Sequence, residues 1–69
     1  MKIGYRIKKL RMQQKITLKE LGERTGLTTS FLSQLERDLT SPSFISLEKI
    51  ADALNTTMAY FFEGDELYF

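Results

Sequence analysis

Apolar residues recur at the spacing of an α-helix along much of this chain of 69 residues. The first stripe consists of Ile3, Ile7 and Leu10, and its spacing predicts an amphipathic helix over about residues 3–14. Lysine and arginine side chains surround this stripe. The stripe is expected to be core, whereas the basic residues fit a solvated face and contacts with phosphate groups about equally well.

The C-terminal half predicts two more helices. The longer one starts near Ser43 or Ser46, either of which can cap it. Its apolar stripe consists of Leu47, Ile50, Ala51 and Leu54. A last short helix is expected over about residues 57–62. The other apolar residues of these segments are expected to be mostly core, and they are Phe44, Ile45, Met58, Phe61 and Phe62.

The centre of the chain, residues 18–37, predicts two short helices joined by a tight turn. Residues 17–20 have the form of a capping box, so a helix is expected to begin at Leu18. Gly26 suits the left-handed position that ends a helix. Gly22 lies inside this helix, where a glycine costs about 1 kcal/mol relative to alanine. A second backbone segment that comes close at Gly22 would explain it.

The second of these two helices has a polar face of unusual composition. Thr28 is its preferred N-cap, although Thr29 could also serve. On a helical wheel Leu32 and Leu35 fall on one side, and the opposite side carries only hydroxyl, amide and guanidinium groups. The residues of this polar face are Thr29, Ser30, Ser33, Gln34 and Arg37.

This polar face can be interpreted as solvated surface or as a surface that reads DNA bases. A solvated helix face usually favours Glu and Lys, which are better helix formers than Ser and Thr. Glutamine can make two hydrogen bonds to adenine, and the groups of Ser and Thr also match base edges. We therefore interpret this helix as one that enters a DNA major groove. The candidate base-reading residues are Thr29, Ser30, Ser33 and Gln34.

The whole arrangement resembles the Cro/CI-type helix-turn-helix domain of phage repressors and the xenobiotic-response-element family. Cupin-type regulators and short sporulation and biofilm repressors carry similar domains. The resemblance covers about residues 3–62 and implies an all-α fold, a compact five-helix bundle with the helix-turn-helix at helices 2 and 3. The segments that carry it, besides the stripe of the fourth helix, are LKELG (18–22), GL (26–27), FLSQLER (31–37) and SPS (41–43).

Candidate phosphate contacts lie on both sides of the reading helix. The turn formed by Thr17, Leu18 and Lys19 offers backbone N–H groups and the positive end of a helix dipole, although an ordinary capped helix needs the same residues. The resemblance implies that the loop after the reading helix follows the DNA backbone. The loop residues that would then hold phosphates are Arg37, Thr40 and Ser41.

The resemblance also implies a structural ion pair between Arg11 and Glu36. The helical wheel agrees, because Glu36 lies towards the buried flank of its helix. Asp38 stands where similar proteins often have Gly or Asn, and a left-handed conformation is expected there because Asp tolerates it better than most residues. Asn55 is expected to end the fourth helix in the same conformation.

Composition argues against several classes of protein. The chain has no Cys and no His, so we expect no disulfide, no metal or other cofactor, and no enzyme activity. No stretch is apolar enough to span a membrane or to act as a signal peptide, which makes a cytoplasmic location the default. The length allows one domain over residues 1–69, with a core over about 3–62. Residues 63–69 would be a tail or the start of a linker.

The distribution of charge separates the two ends of the chain. Residues 1–37 hold nine Lys and Arg against three acids, a net charge of +6. Residues 38–69 hold one Lys against six acids, a net charge of −5. This asymmetry suggests one end that seeks anions, unless it reflects chance clustering in a short chain. The aromatic C-terminal stretch would be a dimer contact or lead to a sensor domain.

Two functions remain open at this stage. The leading one is a sequence-specific DNA-binding transcriptional regulator, a repressor that binds double-stranded DNA as a homodimer. Such a dimer would read two half-sites about 34 Å apart, one turn of the DNA. The alternative is a protein-interaction module on the same fold, such as an antitoxin or anti-repressor subunit, which would use the acidic and aromatic C-terminal half.

Overall fold

The computed structural model describes residues 3–62, which form four α-helices and a short 3₁₀ helix without any β-strand. The elements are α1 (Ile3–Gln13), α2 (Leu18–Thr25), α3 (Thr29–Glu36), α4 (Phe44–Ala53) and the 3₁₀ helix (Met58–Phe62). The all-α prediction is confirmed for these residues, but the count of five α-helices is not. The last element has only five residues, a length at which the tighter 3₁₀ pattern is common. The predicted tail, residues 63–69, lies outside the described range.

Side-chain caps begin three of the helices where the sequence predicted them. The Thr17 hydroxyl accepts a hydrogen bond from the Glu20 N–H at 3.0 Å, and the Glu20 carboxylate accepts one from the Thr17 N–H at 2.9 Å. These two bonds are the capping box of α2. Thr28 and Ser43 cap α3 and α4 through hydroxyls that accept from backbone N–H groups three residues ahead.

Left-handed residues end all four α-helices. Gly26, with φ of 77°, ends α2, and Lys15, Asp38 and Asn55, with φ of 58°, 57° and 55°, follow α1, α3 and α4. After each of these three, the next residue donates its N–H to a carbonyl five positions earlier, at 3.0, 2.9 and 2.9 Å. This is the Schellman motif. The predictions at Gly26, Asp38 and Asn55 are confirmed, whereas Lys15 was not predicted because lysine has no preference for this conformation.

The helices surround one hydrophobic core. α3 packs against α1 and α2, α2 also packs against α4, and the 3₁₀ helix contacts α1 and α4. The buried residues of this core are Ile7, Ile16, Leu21, Leu32, Leu35, Leu47, Ile50, Ala51, Leu54 and Phe61. The expectation that Phe44 and Ile45 belong to it was wrong, since they are 70% and 63% exposed. Ile45 precedes Leu47 by two positions and therefore faces away from the core stripe, and Phe44 lies in the first turn of α4.

A close approach of two backbone segments explains the glycine inside α2. A Cβ atom at Gly22 would lie 2.8 Å from the carbonyl oxygen of Leu27, in the turn that leads to α3. The absence of a side chain at Gly22 therefore lets this turn, and α3 after it, lie directly against α2. Within residues 3–62 no helix has the length and hydrophobicity needed to cross a membrane.

Candidate nucleic-acid interface

The four candidate base-reading residues share the outward face of α3. Thr29, Ser30 and Gln34 are exposed and Ser33 is half-buried, while the opposite side of the helix is buried in the core. Their side chains make no hydrogen bond within residues 3–62. The hydroxyl of Thr25, by contrast, is buried and donates to the carbonyl of Leu21 at 2.8 Å. The polar groups of α3 thus remain available for an external partner.

The first turn of α2 presents two backbone N–H groups. A helix leaves four N-terminal N–H groups without an intrahelical acceptor, and the capping box satisfies those of Thr17 and Glu20. The remaining two belong to Leu18 and Lys19, which are predicted phosphate contacts. Lys19 is exposed and Leu18 half-buried. This turn has the donors and the positive helix end that suit an anion.

The loop after α3 carries the other predicted phosphate contacts. Arg37 and Ser41 are exposed and Thr40 is half-buried. The guanidinium of Arg37 has no partner within the described part of the chain. The backbone of this loop is held at its start, because the Leu39 N–H donates to the Gln34 carbonyl at 2.9 Å. The loop can therefore present a cation and two hydroxyl groups close to the end of α3.

Arg11 and Glu36 form a bidentate ion pair beneath this surface. The Arg11 Nε and Nη2 atoms donate to the Glu36 carboxylate at 2.7 and 3.0 Å. Arg11 Nη1 also donates to the carbonyl of Ile16 at 2.7 Å. The Glu36 side chain is only 4% exposed, so its charge is directed into the fold and away from any phosphate. One arginine thus joins α1, the connection between α1 and α2, and the end of α3.

A contact that sequence reasoning missed joins the same loop to the start of α1. The Asp38 Oδ1 atom accepts a hydrogen bond from the Gly4 N–H at 3.2 Å, across 34 positions of sequence. The sequence indicated only that Asp38 tolerates a left-handed backbone. No local pattern could have revealed the partner, because it depends on how α1 packs against α3.

The capping box of α2 also shifts the pKa of a carboxylate near this surface. The pKa of Glu20 lies below its ordinary value of 4.5, chiefly because its carboxylate accepts a hydrogen bond from the Thr17 N–H, with further contributions from the nearby Thr17 hydroxyl and from Arg24. This carboxylate therefore stays charged at neutral pH as part of the capping box. In the range 3–62 no three His, Cys, Asp or Glu side chains cluster in a way that could hold a metal ion.

Comparison with known sequences identifies relatives of the chain. Residues 7–61 match a family model described as helix-turn-helix. The chain is 43% identical over 54 residues to the immunity repressor protein of Bacillus phage phi105, covering 78% of this chain and 38% of the relative. It is 42% identical over 57 residues to the HTH-type transcriptional regulator SinR of Bacillus subtilis, covering 81% of this chain and 51% of the relative. The chain thus spans about half, or less, of these relatives.

Solved structures show the same fold. SinR in complex with DNA superimposes with a TM-score of 0.83 and 39% identity, over 88% of this chain and 98% of that one. The DNA-binding domain of the P22 c2 repressor superimposes with a TM-score of 0.88 and 32% identity, over 94% of this chain and 86% of that one. The match to the family model and the shared fold together lead to one conclusion: the chain belongs to the Cro/CI-type helix-turn-helix family.

Proposed function

We propose that this chain is the DNA-binding domain of a sequence-specific transcriptional repressor that inserts α3 into the major groove. The observation that carries the proposal is the exposed face of α3, whose side chains have hydrogen-bonding capacity and no partner in residues 3–62. Such groups match the donor and acceptor pattern of base edges. The base contacts would come from Thr29, Ser30, Ser33 and Gln34.

Phosphate contacts would set the register of α3 on the DNA. The Leu18 and Lys19 N–H groups would bind one phosphate together with the Lys19 side chain and the Thr17 hydroxyl. Arg37, Thr40 and Ser41 would follow the backbone on the other side of α3. The relatives support a DNA-binding function in general, since one is named an immunity repressor and another, SinR, has been solved in complex with DNA.

The proposal includes a homodimer that binds two half-sites. An apolar groove of about 650 Å³ lies between the start of α1, the loop before α4 and the 3₁₀ helix. Phe44 lines this groove, and Leu39 and Ile45 are exposed large apolar residues close to it in sequence. A second copy that covers these exposed apolar residues would remove them from water. Two-fold symmetry would then match two half-sites about 34 Å apart.

The rest of the proposal concerns the whole protein. The domain would extend over residues 1–69, and a C-terminal sensor domain could follow it in a longer chain. The protein would act in the cytoplasm, where the DNA of a bacterial cell lies, without a cofactor and without enzyme activity. The relatives, one named an immunity repressor and the other a transcriptional regulator, support a role other than catalysis.

The test of base reading is the substitution Gln34→Ala. Loss of its side chain should cost about 1–3 kcal/mol at one base pair and relax the sequence preference there. Affinity for a library of operator variants, measured by fluorescence anisotropy, gives the preference at each position. If Gln34→Ala weakened binding to every sequence equally, base reading by Gln34 would be wrong.

Arg37→Ala tests phosphate contact and is the counterpart of Gln34→Ala. It should weaken binding to all sequences about equally and reduce the slope of log K against log salt by about one unit. Titrations at several salt concentrations measure this slope. An Arg37→Ala protein with an unchanged salt slope would argue against a phosphate contact by Arg37.

Salt dependence also distinguishes the alternative function. The apolar groove beside Phe44 favours a protein contact, as an antitoxin or anti-repressor subunit would make. Binding to DNA should fall steeply as salt rises, whereas an apolar protein contact should not. A protein that bound no DNA at low salt would therefore favour the protein-interaction module.

A further inference from the structure

The first turn of α1 lies directly on the C-terminal end of α3. A Cβ atom at Gly4 would clash with the carbonyl oxygen of Leu35 and lie 2.8 Å from that of Glu36. Gly4 is buried, and its N–H donates to the Asp38 carboxylate at 3.2 Å. The positive end of α1 thus meets both the carbonyl groups that end α3 and a carboxylate from the following loop.

Asp38 holds the start of this loop through its backbone and through its side chain. Its backbone is the left-handed residue of the Schellman motif that ends α3, with φ of 57°. Its side chain reaches back to α1 through Gly4. Arg37 precedes it, and Thr40 and Ser41 follow within three positions. Within residues 3–62, the hydrogen bond that ties the loop with these candidate phosphate contacts to α1 is the one that Asp38 accepts.

We propose that Asp38 is a positioning residue, which orders the loop of residues 37–41 for contact with the DNA backbone through its hydrogen bond to Gly4. This inference rests on the proposed DNA-binding function. Asp38 itself would not touch DNA, because a carboxylate and a phosphate repel each other. Asp38 would affect affinity by ordering the loop before DNA binds. If the loop is ordered in only part of the protein molecules, the apparent affinity for DNA falls in proportion to that part.

Two neutral variants isolate the hydrogen bond from the other properties of Asp38. Asp38→Asn keeps the Oδ1 acceptor and tolerates the left-handed backbone, whereas Asp38→Gly tolerates that backbone but has no acceptor. Both variants remove the same charge. We expect Asp38→Gly to bind every DNA sequence about fivefold more weakly than Asp38→Asn, the factor that corresponds to one typical hydrogen bond.

A separate variant controls for the effect of removing a negative charge. Asp52 is exposed on α4, so Asp52→Asn removes one negative charge away from the loop. Asp38→Asn should bind DNA at least as tightly as the unmodified protein, because a charge that repels phosphates is gone and the acceptor remains. Circular dichroism at the temperature of the titrations must show that all variants are folded.

Amide hydrogen exchange supplies a readout that does not need DNA. The Gly4 N–H should be protected in the unmodified protein and in Asp38→Asn, and should exchange several-fold faster in Asp38→Gly. If the unmodified protein binds DNA and the two Asp38 variants bind it equally, the positioning role is refuted while the proposed function stands. If the unmodified protein binds no DNA at low salt, the proposed function fails, and the positioning role fails with it.

Discussion

At the scale of single residues, Arg11 connects parts of the fold that are distant in sequence. Its guanidinium binds the Glu36 carboxylate and the Ile16 carbonyl, and the two charged side chains are 12% and 4% exposed. Charges that are this far from water are tolerated only in the company of a partner. The pair therefore sets where α3 ends relative to α1, and with it the orientation of the polar face.

Removal of one member of this pair should be far more damaging than removal of both. Arg11→Met keeps the aliphatic part of the side chain but leaves the Glu36 carboxylate buried and unpaired. We expect a loss of about 3–5 kcal/mol in the free energy of unfolding, enough to unfold much of a domain this small. The double variant Arg11→Met with Glu36→Leu should recover most of that loss. Urea denaturation measures both, and a single variant that lost under 1 kcal/mol would contradict the expectation.

At the scale of helices, the sequence specifies the two ends of each helix more strongly than the residues between them. Three α-helices begin at hydroxyl caps, and three end in Schellman motifs with Lys15, Asp38 or Asn55 in a left-handed conformation. That conformation costs an L-residue about 1–2 kcal/mol, and the closing hydrogen bonds offset part of it. Helices of eight residues, such as α2 and α3, need such ends because they are too short to be stable alone.

The capping box of α2 should make stability depend on pH. The pKa of Glu20 is lowered in the folded chain, so its contribution is fully present above the pKa of the unfolded chain and is lost as pH falls through the folded value. Glu20→Gln should therefore lose less stability than the unmodified protein as pH falls below about 4.5. Thermal denaturation between pH 7 and about pH 2 tests this.

Glu23→Gln is the control for the pH experiment. Glu23 is exposed on the same helix and has no hydrogen-bond or ion-pair partner within residues 3–62. Its substitution should leave the decline in stability at acid pH nearly unchanged. If the two variants declined alike, the acid sensitivity would not come from the capping box.

At the scale of the whole molecule, the base-reading face of α3 is separate from the apolar groove, although Thr40 and Ser41 of the loop after α3 line that groove as well. The outward face of α3 is polar. Phe44 is 70% exposed beside the apolar groove. A contiguous exposed apolar patch that is rimmed by polar residues often marks a contact with a partner. The polar face of α3 fits contact with DNA, and the exposed apolar residues around Phe44 fit contact with a second copy of the chain.

A charge placed in the apolar groove should weaken the proposed dimer without unfolding the domain. Phe44→Asp puts a carboxylate at the first position of α4, where the helix dipole favours it. We expect the dissociation constant of the dimer to rise about tenfold or more, because an unpaired carboxylate cannot be buried at low cost. Sedimentation equilibrium measures the change.

Met12→Asp is the matched control for the dimer experiment. Met12 is 58% exposed on α1 and does not line this groove. Its substitution should leave the dissociation constant unchanged. Equal weakening by both variants would point to a general effect of charge, and no effect from Phe44→Asp would place the dimer contact elsewhere.

Local chemistry in the sequence was enough to predict most helix boundaries and the side of each helix that is buried. Capping boxes, hydroxyl caps and apolar stripes act between residues three or four positions apart, so they are visible in the order of amino acids. The glycine at position 22 predicted a close approach, and the Leu27 carbonyl lies at that place. Which bases α3 would read stays a prediction.

Packing between residues that are far apart in the sequence decided features that local patterns do not show. The sequence offered no local signal for the bond from Asp38 to Gly4, 34 positions away. That bond depends on where α1 lies against α3, which is set by the sum of many weak contacts in the core. The left-handed Lys15 was missed for another reason, since lysine has no preference for this conformation. The spacing of Ile45 from Leu47 could have indicated that Ile45 faces away from the core. Most helix ends and helix faces were thus determined by the sequence alone, whereas the support beneath the candidate interface was decided by the tertiary structure.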